Sequence, residues 1–225
     1  MSLDAQTSAL PLRKTLDAQW EFRQAHKGDW KAVKAPASVH TALLQTGQIE
    51  DPFYRDNEEK LQWIENEDWE FQASFNADAE LLARKHIEMT FKGLDTYVQV
   101  YLNDSLILEA DNMFRSWMID VKPYLRPGPN VLHYYFESPT KKVETAWKEL
   151  GYELPGGIRT MSRKAQFHYG WDWGPKLVGC GILKLPEITA WDDFLIEQLV
   201  VVTQSLTPEK ARLVARFQYR SEQSS

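Results

Sequence analysis

Apolar and polar residues alternate along much of this chain up to residue 136. Apolar side chains occupy every second position in three segments, 69–75, 87–91 and 98–102. This period of two is typical of strands that bury one face and leave the other in solvent. The polar turn Asn103-Asp104-Ser105 leads into the apolar run 106–108, which predicts a β-hairpin. Two further strands are predicted, over 117–121 and 131–136.

Two helices are predicted between the strands. Ser138 suits an N-cap, Pro139 the first helical position, and Gly151 the left-handed position that ends a helix. A second helix is predicted from about Ser38 to Gln45, ending at Gly47. Many strands and few helices predict an all-β fold, an antiparallel β-sandwich of jelly-roll type with one or two short helices.

Composition narrows the functional classes. The net charge is −6, from 26 basic and 32 acidic residues, and no basic cluster occurs. Nucleic acid and anionic membranes are therefore not expected as partners. Cys180 is the single cysteine, so no internal disulfide can form, which fits a reducing compartment. Without a signal-peptide pattern or a long apolar run, the chain is expected to be soluble and cytoplasmic.

The segment 163–175 carries the strongest candidate chemistry. It contains four aromatic residues, a histidine, two cations and one carboxylate, and it ends in Gly174-Pro175. Aromatic faces suit the C–H side of a pyranose, a carboxylate suits its hydroxyls, and Gly-Pro favours a turn. Trp171, Asp172 and Trp173 are therefore candidates for sugar binding. Composition alone equally allows two half-buried core tryptophans with Asp172 capping a turn.

The same segment resembles the end of the N-terminal domain of β-mannosidases, retaining glycoside hydrolases grouped with β-galactosidases and β-glucuronidases. The resemblance runs from about Trp20 to Trp191. Small departures are Ala37, where the family usually has Gly, and Leu183, where it usually has Trp. The segments that agree in order and spacing include Ala35-Pro36-Ala37-Ser38-Val39-His40-Thr41, Asp51-Pro52-Phe53-Tyr54, Asn57-Glu58, Leu61-Gln62-Trp63, Gly93-Leu94-Asp95-Thr96-Tyr97, Asn112-Met113-Phe114-Arg115 and Phe136-Glu137-Ser138-Pro139.

The resemblance implies a domain organisation. Residues 15–191 would form a galactose-binding-domain-like jelly roll, preceded by a disordered N-terminus over 1–14. The β-like runs in 192–225 would be the incomplete first strands of an immunoglobulin-like domain, since a whole one needs about 100 residues. The sequence is then expected to stop inside a domain, as in a truncated product.

The resemblance also implies hydrolysis of terminal β-D-mannose from oligosaccharides. Both catalytic carboxylates of the family lie in a (β/α)8 barrel of about 250 residues, and no such pattern occurs here. We therefore expect no catalytic residue in this chain and no activity of the chain alone. Asn57-Glu58 matches the Asn-Glu pair that marks the acid/base in this clan, but its context matches the N-terminal domain. Glu58 is therefore interpreted as non-catalytic.

The Trp-Asp-Trp loop of the family is carried towards the barrel. By resemblance, Asp172 would bind hydroxyls of the non-reducing mannose, while Trp171 and Trp173 would shape the pocket wall. Weaker candidates, expected to support the loop, are His168, Lys164 and Lys176. The expected partners are the barrel domain and a β-mannoside oligosaccharide. Two alternatives remain open, a stand-alone carbohydrate-binding module and a purely structural domain that braces the barrel.

No metal or cofactor is expected. The chain has one cysteine, and its five histidines show no ligand spacing. The C-terminal runs 195–202 and 213–219 raise a separate question, because two strands cannot bury an apolar face alone. We expect this tail to be disordered, to dock on its own jelly roll, or to pair with a second copy in a homodimer.

Overall fold

The computed structural model describes residues 10–222, which form mainly antiparallel strands. The largest sheet has six strands, in the spatial order β3 (Lys27–Val33), β2 (Gln19–Gln24), β5 (Trp69–Ala77), β11 (Gly128–Phe136), β8 (Val98–Leu102) and β9 (Ser105–Ala110). A second sheet has four, in the order β1 (Leu12–Thr15), β15 (Glu187–Trp191), β6 (His86–Lys92) and β10 (Ser116–Asp120).

The core lies between these two sheets. Trp69, Phe71 and Phe75 of β5 are buried, as are Met89 and Phe91 of β6, while Ser74 and Asn76 of β5 are exposed. The rings of Phe91 and Tyr134 meet edge to face across the core, with centroids 6.3 Å apart. The period of two therefore comes from burial of one face of each sheet, and the predicted all-β sandwich is confirmed.

Two smaller sheets contribute residues to one cavity. The first contains β4 (Ala37–Ser38), β14 (Gly181–Ile182) and β7 (Leu94–Asp95), and the second is a hairpin of β12 (Tyr169–Trp171) and β13 (Gly174–Lys176). Gly181 has φ +152°, and a Cβ there would lie 2.4 Å from the Ala37 carbonyl oxygen. Only glycine therefore allows β14 to approach β4 this closely.

Both predicted helices are confirmed, as α1 (Val39–Gln45) and α4 (Pro139–Leu150). Ser138 caps α4 by accepting a hydrogen bond from Lys141 N at 3.1 Å, and Gly151 ends it at φ +74°. The structure adds two one-turn helices, α2 (Asn57–Lys60) and α3 (Ala79–Leu82). One turn is too short to show helical periodicity, so the sequence pattern did not indicate them.

The C-terminal strands form a long hairpin of β16 (Phe194–Leu206) and β17 (Ala211–Ser221). Leu195 is buried at its base, where the Arg220 guanidinium lies 2.5 and 2.6 Å from the two Glu88 carboxylate oxygens of β6. Beyond the base the hairpin is exposed, with Leu199 and Phe217 each more than 60% exposed (62% and 61%). The two predicted strands are confirmed, and the immunoglobulin-like domain stays a prediction.

The predicted N-terminal boundary needs a correction. Residues 1–9 of the expected disordered segment lie outside the described residues, but Leu12–Thr15 pairs with β15 along its whole length. The sandwich therefore begins no later than Leu12 rather than at residue 15. The apolar residues of this strand are too few for a periodic pattern, and its partner is far along the chain. Within residues 10–222, no helix is long and apolar enough to cross a membrane.

Candidate functional site

The Trp-Asp-Trp triplet lies at the tip of the β12–β13 hairpin. Tyr169 pairs with Lys176 and Trp171 with Gly174, so Asp172 and Trp173 form the two-residue turn. The predicted turn is therefore slightly earlier in the chain, because Gly174 and Pro175 already belong to β13. Pro175 is tolerated there because a strand at the edge of a sheet can do without one N–H donor.

The two tryptophans are presented to solvent. The exposed fraction of Trp173 is 83% and that of Trp171 is 48%, and Asp172 is exposed as well. Their ring centroids lie 6.0 Å apart with the planes at 67°, and the Arg159 guanidinium lies 5.6 Å from the Trp171 ring centroid. Such exposure argues against a core role for Trp173 and leaves an aromatic surface with a carboxylate beside it.

A cavity of about 790 Å³ lies beside the hairpin. Both tryptophans line it, whereas Asp172 is absent from its wall among the described residues. Helix α1 contributes His40, and the loop before α2 contributes Phe53. The wall is largely apolar and is built from residues that include Leu44, Pro52, Phe53, Phe167, Trp171, Trp173, Pro175 and Leu177.

A buried ion pair lies beneath this cavity. The Lys164 Nζ lies 2.5 Å from Asp95 Oδ2 and donates a second hydrogen bond to the Gly179 carbonyl at 2.6 Å. The Thr96 hydroxyl donates to the other Asp95 oxygen. Both side chains of the pair are almost completely buried. Lys164 is thus too enclosed to contact a ligand, and its contacts hold Asp95 and Gly179 together beneath the cavity.

Two histidines lie close to this ion pair and are held neutral. Burial, together with the nearby His168 and Lys164, lowers the pKa of His40 to about 4. Burial and Lys164 likewise lower the pKa of His168. His168 Nδ1 lies 3.2 Å from the Leu177 carbonyl, which can only accept, so neutral His168 carries its hydrogen on Nδ1. Of the three weaker candidates, His168 is the one that lines the cavity.

Lys176 fixes the base of the hairpin. Its Nζ lies 2.8 Å from Glu65 Oε1, and its carbonyl accepts from Gln62 Nε2 at 2.9 Å. Its backbone N–H donates to Glu58 Oε1 at 2.5 Å. Glu58, the residue that resembles a catalytic acid/base, is thus bound to the backbone of β13. These contacts join the region from α2 to Asn66 to the hairpin.

Asp95, His40 and Glu65 belong to the site but were not predicted as site residues. Asp95 stood in a quoted segment, but its partner Lys164 is 69 positions away, and a single sequence carries no signal for such a pair. The structure places His40 on the cavity wall. Among the residues that the structure describes, no group of three His, Cys, Asp or Glu side chains could hold a metal ion.

Comparisons with known proteins place this chain in a family. Residues 20–184 match the model described as "Glycosyl hydrolase 2 galactose-binding domain-like". The chain belongs to this family. It is 34% identical to a β-mannosidase B from Thermothelomyces thermophilus over 92% of its own length and 25% of that protein. The chain thus spans about a quarter of the relatives that it matches.

Solved structures agree with this family assignment. A β-D-mannosidase from Dictyoglomus thermophilum superposes with a TM-score of 0.87 and 36% identity, over 95% of this chain and 26% of that one. An exo-chitosanase from Amycolatopsis orientalis superposes with a TM-score of 0.69 over 95% of this chain and 25% of that one. Its identity is 16%, so it shows only that the galactose-binding domain-like fold is shared.

Removal of the buried lysine should destabilise this galactose-binding domain-like fold. Lys164→Met leaves Asp95 buried without its cation, which should lower the free energy of unfolding by about 3–5 kcal/mol. The matched control is Lys92→Met, which breaks an exposed pair with Glu187 (3.1 Å) and should cost less than about 1 kcal/mol. Urea denaturation of the two variants measures both values. Equal destabilisation would contradict a structural role for the Lys164–Asp95 pair.

The low pKa of His40 predicts a pH dependence of stability. The unfolded chain binds a proton at His40 near pH 6.5, whereas the folded chain binds it only near pH 4. Acidification from about 6.5 to about 4 therefore favours unfolding, by on the order of 2–3 kcal/mol. His40→Gln should remove this part of the slope, and His26→Gln, at an exposed position, should not. Urea denaturation at a series of pH values checks this, and unchanged slopes in His40→Gln would refute it.

Proposed function

We propose that this chain is the N-terminal domain of a retaining β-mannosidase that hydrolyses terminal β-D-mannose residues of oligosaccharides. The relatives named above support the substrate class. The observation that carries the proposal is the exposed Trp-Asp-Trp turn at the rim of the 790 Å³ cavity. A domain that only braced a neighbour would have no need to present a carboxylate between two exposed indole rings.

Asp172 is free to bind a ligand. Among the described residues, no hydrogen bond or ion pair engages its side chain, whereas Glu58, Glu65 and Asp95 all have partners. A carboxylate accepts hydrogen bonds from sugar hydroxyls, and each such charge-assisted bond contributes about 1.5–3 kcal/mol. The indole faces of Trp171 and Trp173 would pack against the apolar side of the pyranose.

The chemical step needs groups that this chain does not supply. A retaining glycosidase uses two carboxylates about 5–5.5 Å apart, one as nucleophile and one as acid/base. We place both in the barrel of the complete enzyme, which corresponds to the part of the relatives that this chain does not cover. The hairpin then closes one side of the substrate pocket, and its rigidity follows from the contacts of Lys176 at its base.

The exposed C-terminal hairpin fits the same proposal. Its apolar residues are exposed well beyond the base, as Leu199 and Phe217 show. We propose that residues 192–225 open an immunoglobulin-like domain, whose other strands would cover these side chains. Strand pairing with a second copy of the chain is the alternative way to cover them.

Replacement of Asp172 in the complete enzyme should impair catalysis without unfolding the domain. Asp172→Ala removes an exposed turn carboxylate, so stability should be unchanged, while kcat/KM should fall by at least about tenfold, or 1.4 kcal/mol. Asp29→Ala, at another exposed position, is the matched control. Steady-state kinetics with an aryl β-mannoside measures the effect. Wild-type kinetics in Asp172→Ala would leave the triplet a structural role only.

The chain alone should not hydrolyse β-mannosides, because neither catalytic carboxylate belongs to it. Incubation of the 225-residue chain with an aryl β-mannoside tests this expectation. Turnover that survives repurification and disappears in Glu58→Gln would show that Glu58 is catalytic after all. Turnover that persists in Glu58→Gln would point to another carboxylate of this chain, and the proposal would again be wrong.

A further inference from the structure

The outer face of the six-stranded sheet contains a second concavity, of about 610 Å³. It shares no lining residue with the cavity beside the Trp-Asp-Trp hairpin. Its side chains come from β2, β3, β5, β8 and β11, so adjacent strands hold them at fixed spacing. We call it the sheet-face site.

Aromatic side chains form much of the sheet-face site. Trp30 of β3, Tyr101 of β8 and Tyr135 of β11 line it together with His133. The Tyr101 and His133 rings are 5.7 Å apart with planes at 33°, and Trp30 meets His133 edge to face at 6.1 Å. The outer face of a sandwich needs only polar residues to be solvated. Trp30, Tyr101 and Tyr135 are half-buried there and give this face a flat aromatic surface.

A buried carboxylate fixes the floor of this site. Glu70 is 3% exposed, and its Oε2 lies 2.6 Å from Arg23 Nε. Its other oxygen lies 3.4 Å from His133 Nε2. The Arg23 guanidinium in turn lies 4.3 Å from the centroid of the Trp30 ring. Arg23 is thus committed to Glu70 and Trp30, and the aromatic side chains are held in place before any ligand arrives.

Two polar groups at the rim of the sheet-face site can accept further hydrogen bonds. Gln72 Nε2 donates to Glu21 at 2.7 Å, which leaves the Gln72 carbonyl oxygen able to accept. The Tyr101 hydroxyl donates to Gln99 Oε1 at 2.8 Å, which leaves its lone pairs able to accept. Both groups therefore can accept hydrogen bonds from hydroxyl groups of a ligand.

The acidic residues of the sheet-face site disfavour anionic ligands. Its acidic residues are Glu70 and Asp104, with Glu21 adjoining, and its arginine is already paired. A phosphate or an acidic polysaccharide would therefore be repelled. A neutral ligand with hydroxyl groups on its edges and C–H groups on its faces matches both the acceptors and the aromatic rings.

We propose that the sheet-face site binds a neutral oligosaccharide, with a pyranose face against Tyr101 and Trp30 and ring hydroxyls donating to Gln72. The volume of about 610 Å³ lies within the usual range for small-molecule sites, about 300–1,000 Å³. This inference is independent of the proposed function, because the hairpin contributes nothing to the site. It would give the domain a second sugar contact, remote from the Trp-Asp-Trp turn.

Calorimetric titration of the 225-residue chain with β-1,4-mannotriose and with cellotriose tests the inference. We expect at least one trisaccharide to bind, and glycerol not to. Tyr101→Ala and Gln72→Ala should each weaken binding, the first by about tenfold because a stacked ring is lost. Tyr101→Phe keeps the ring and should retain most of the affinity. The matched control is Met118→Ala, which is exposed on the other sheet and should not change binding.

Circular dichroism establishes that each variant is folded. If Tyr101→Ala does not fold, Gln72→Ala and Tyr101→Phe still test the site. Absence of binding for both trisaccharides would overturn the inference. So would binding that Trp173→Ala abolishes and Gln72→Ala leaves intact, because the sugar would then occupy the hairpin cavity. The kinetics of Asp172→Ala report separately on the proposed function, so failure of one leaves the other standing.

Discussion

The buried pair of Lys164 and Asp95 is the interaction on which the candidate site depends. Asp95 belongs to the small sheet of β4, β14 and β7, and Lys164 lies just before the segment that forms the hairpin. Through Gly179 the same ammonium group also binds the chain that leaves the hairpin. One side chain therefore ties together the chain entering the site, the chain leaving it, and the sheet beneath. Two charges are buried to achieve this, and neither could be stable there without the other.

Sequence patterns predicted the features that depend on neighbouring residues and missed those that depend on residues far apart in the chain. The cap at Ser138, the glycine at 151 and the alternation over 69–75 are local patterns, and each predicted its element correctly. Gly174-Pro175 indicated a turn close to the triplet, and the structure has that turn at Asp172 and Trp173. The support beneath it could not be predicted, since Asp95 and Lys164 become neighbours only after the sandwich has formed. The pairing of Leu12–Thr15 with β15 was missed for the same reason.

Aromatic residues occupy two different places in this galactose-binding domain-like fold, the core and the outer surface. Those of the inner faces, such as Phe71 and Phe91, fill the core and leave little room for variation. Those at the hairpin and on the outer sheet face add nothing to the core; the Arg23 guanidinium lies over the Trp30 ring, and the Tyr101 hydroxyl donates a hydrogen bond to Gln99. Rigid strands with outward aromatic groups provide a scaffold on which recognition can change while the fold stays the same.

The junction between the sandwich and the C-terminal hairpin has a consequence for orientation. Arg220 meets Glu88 through two parallel contacts, and its Nε lies 2.6 Å from Glu197 of the neighbouring strand. A planar guanidinium held by two carboxylates defines an angle as well as a distance, which a lysine could not do. These contacts therefore fix the orientation of the hairpin relative to the sandwich. Arg220 shares this control of the angle with Lys85, whose ammonium group contacts both Asp193 and Glu222 at the base of the hairpin.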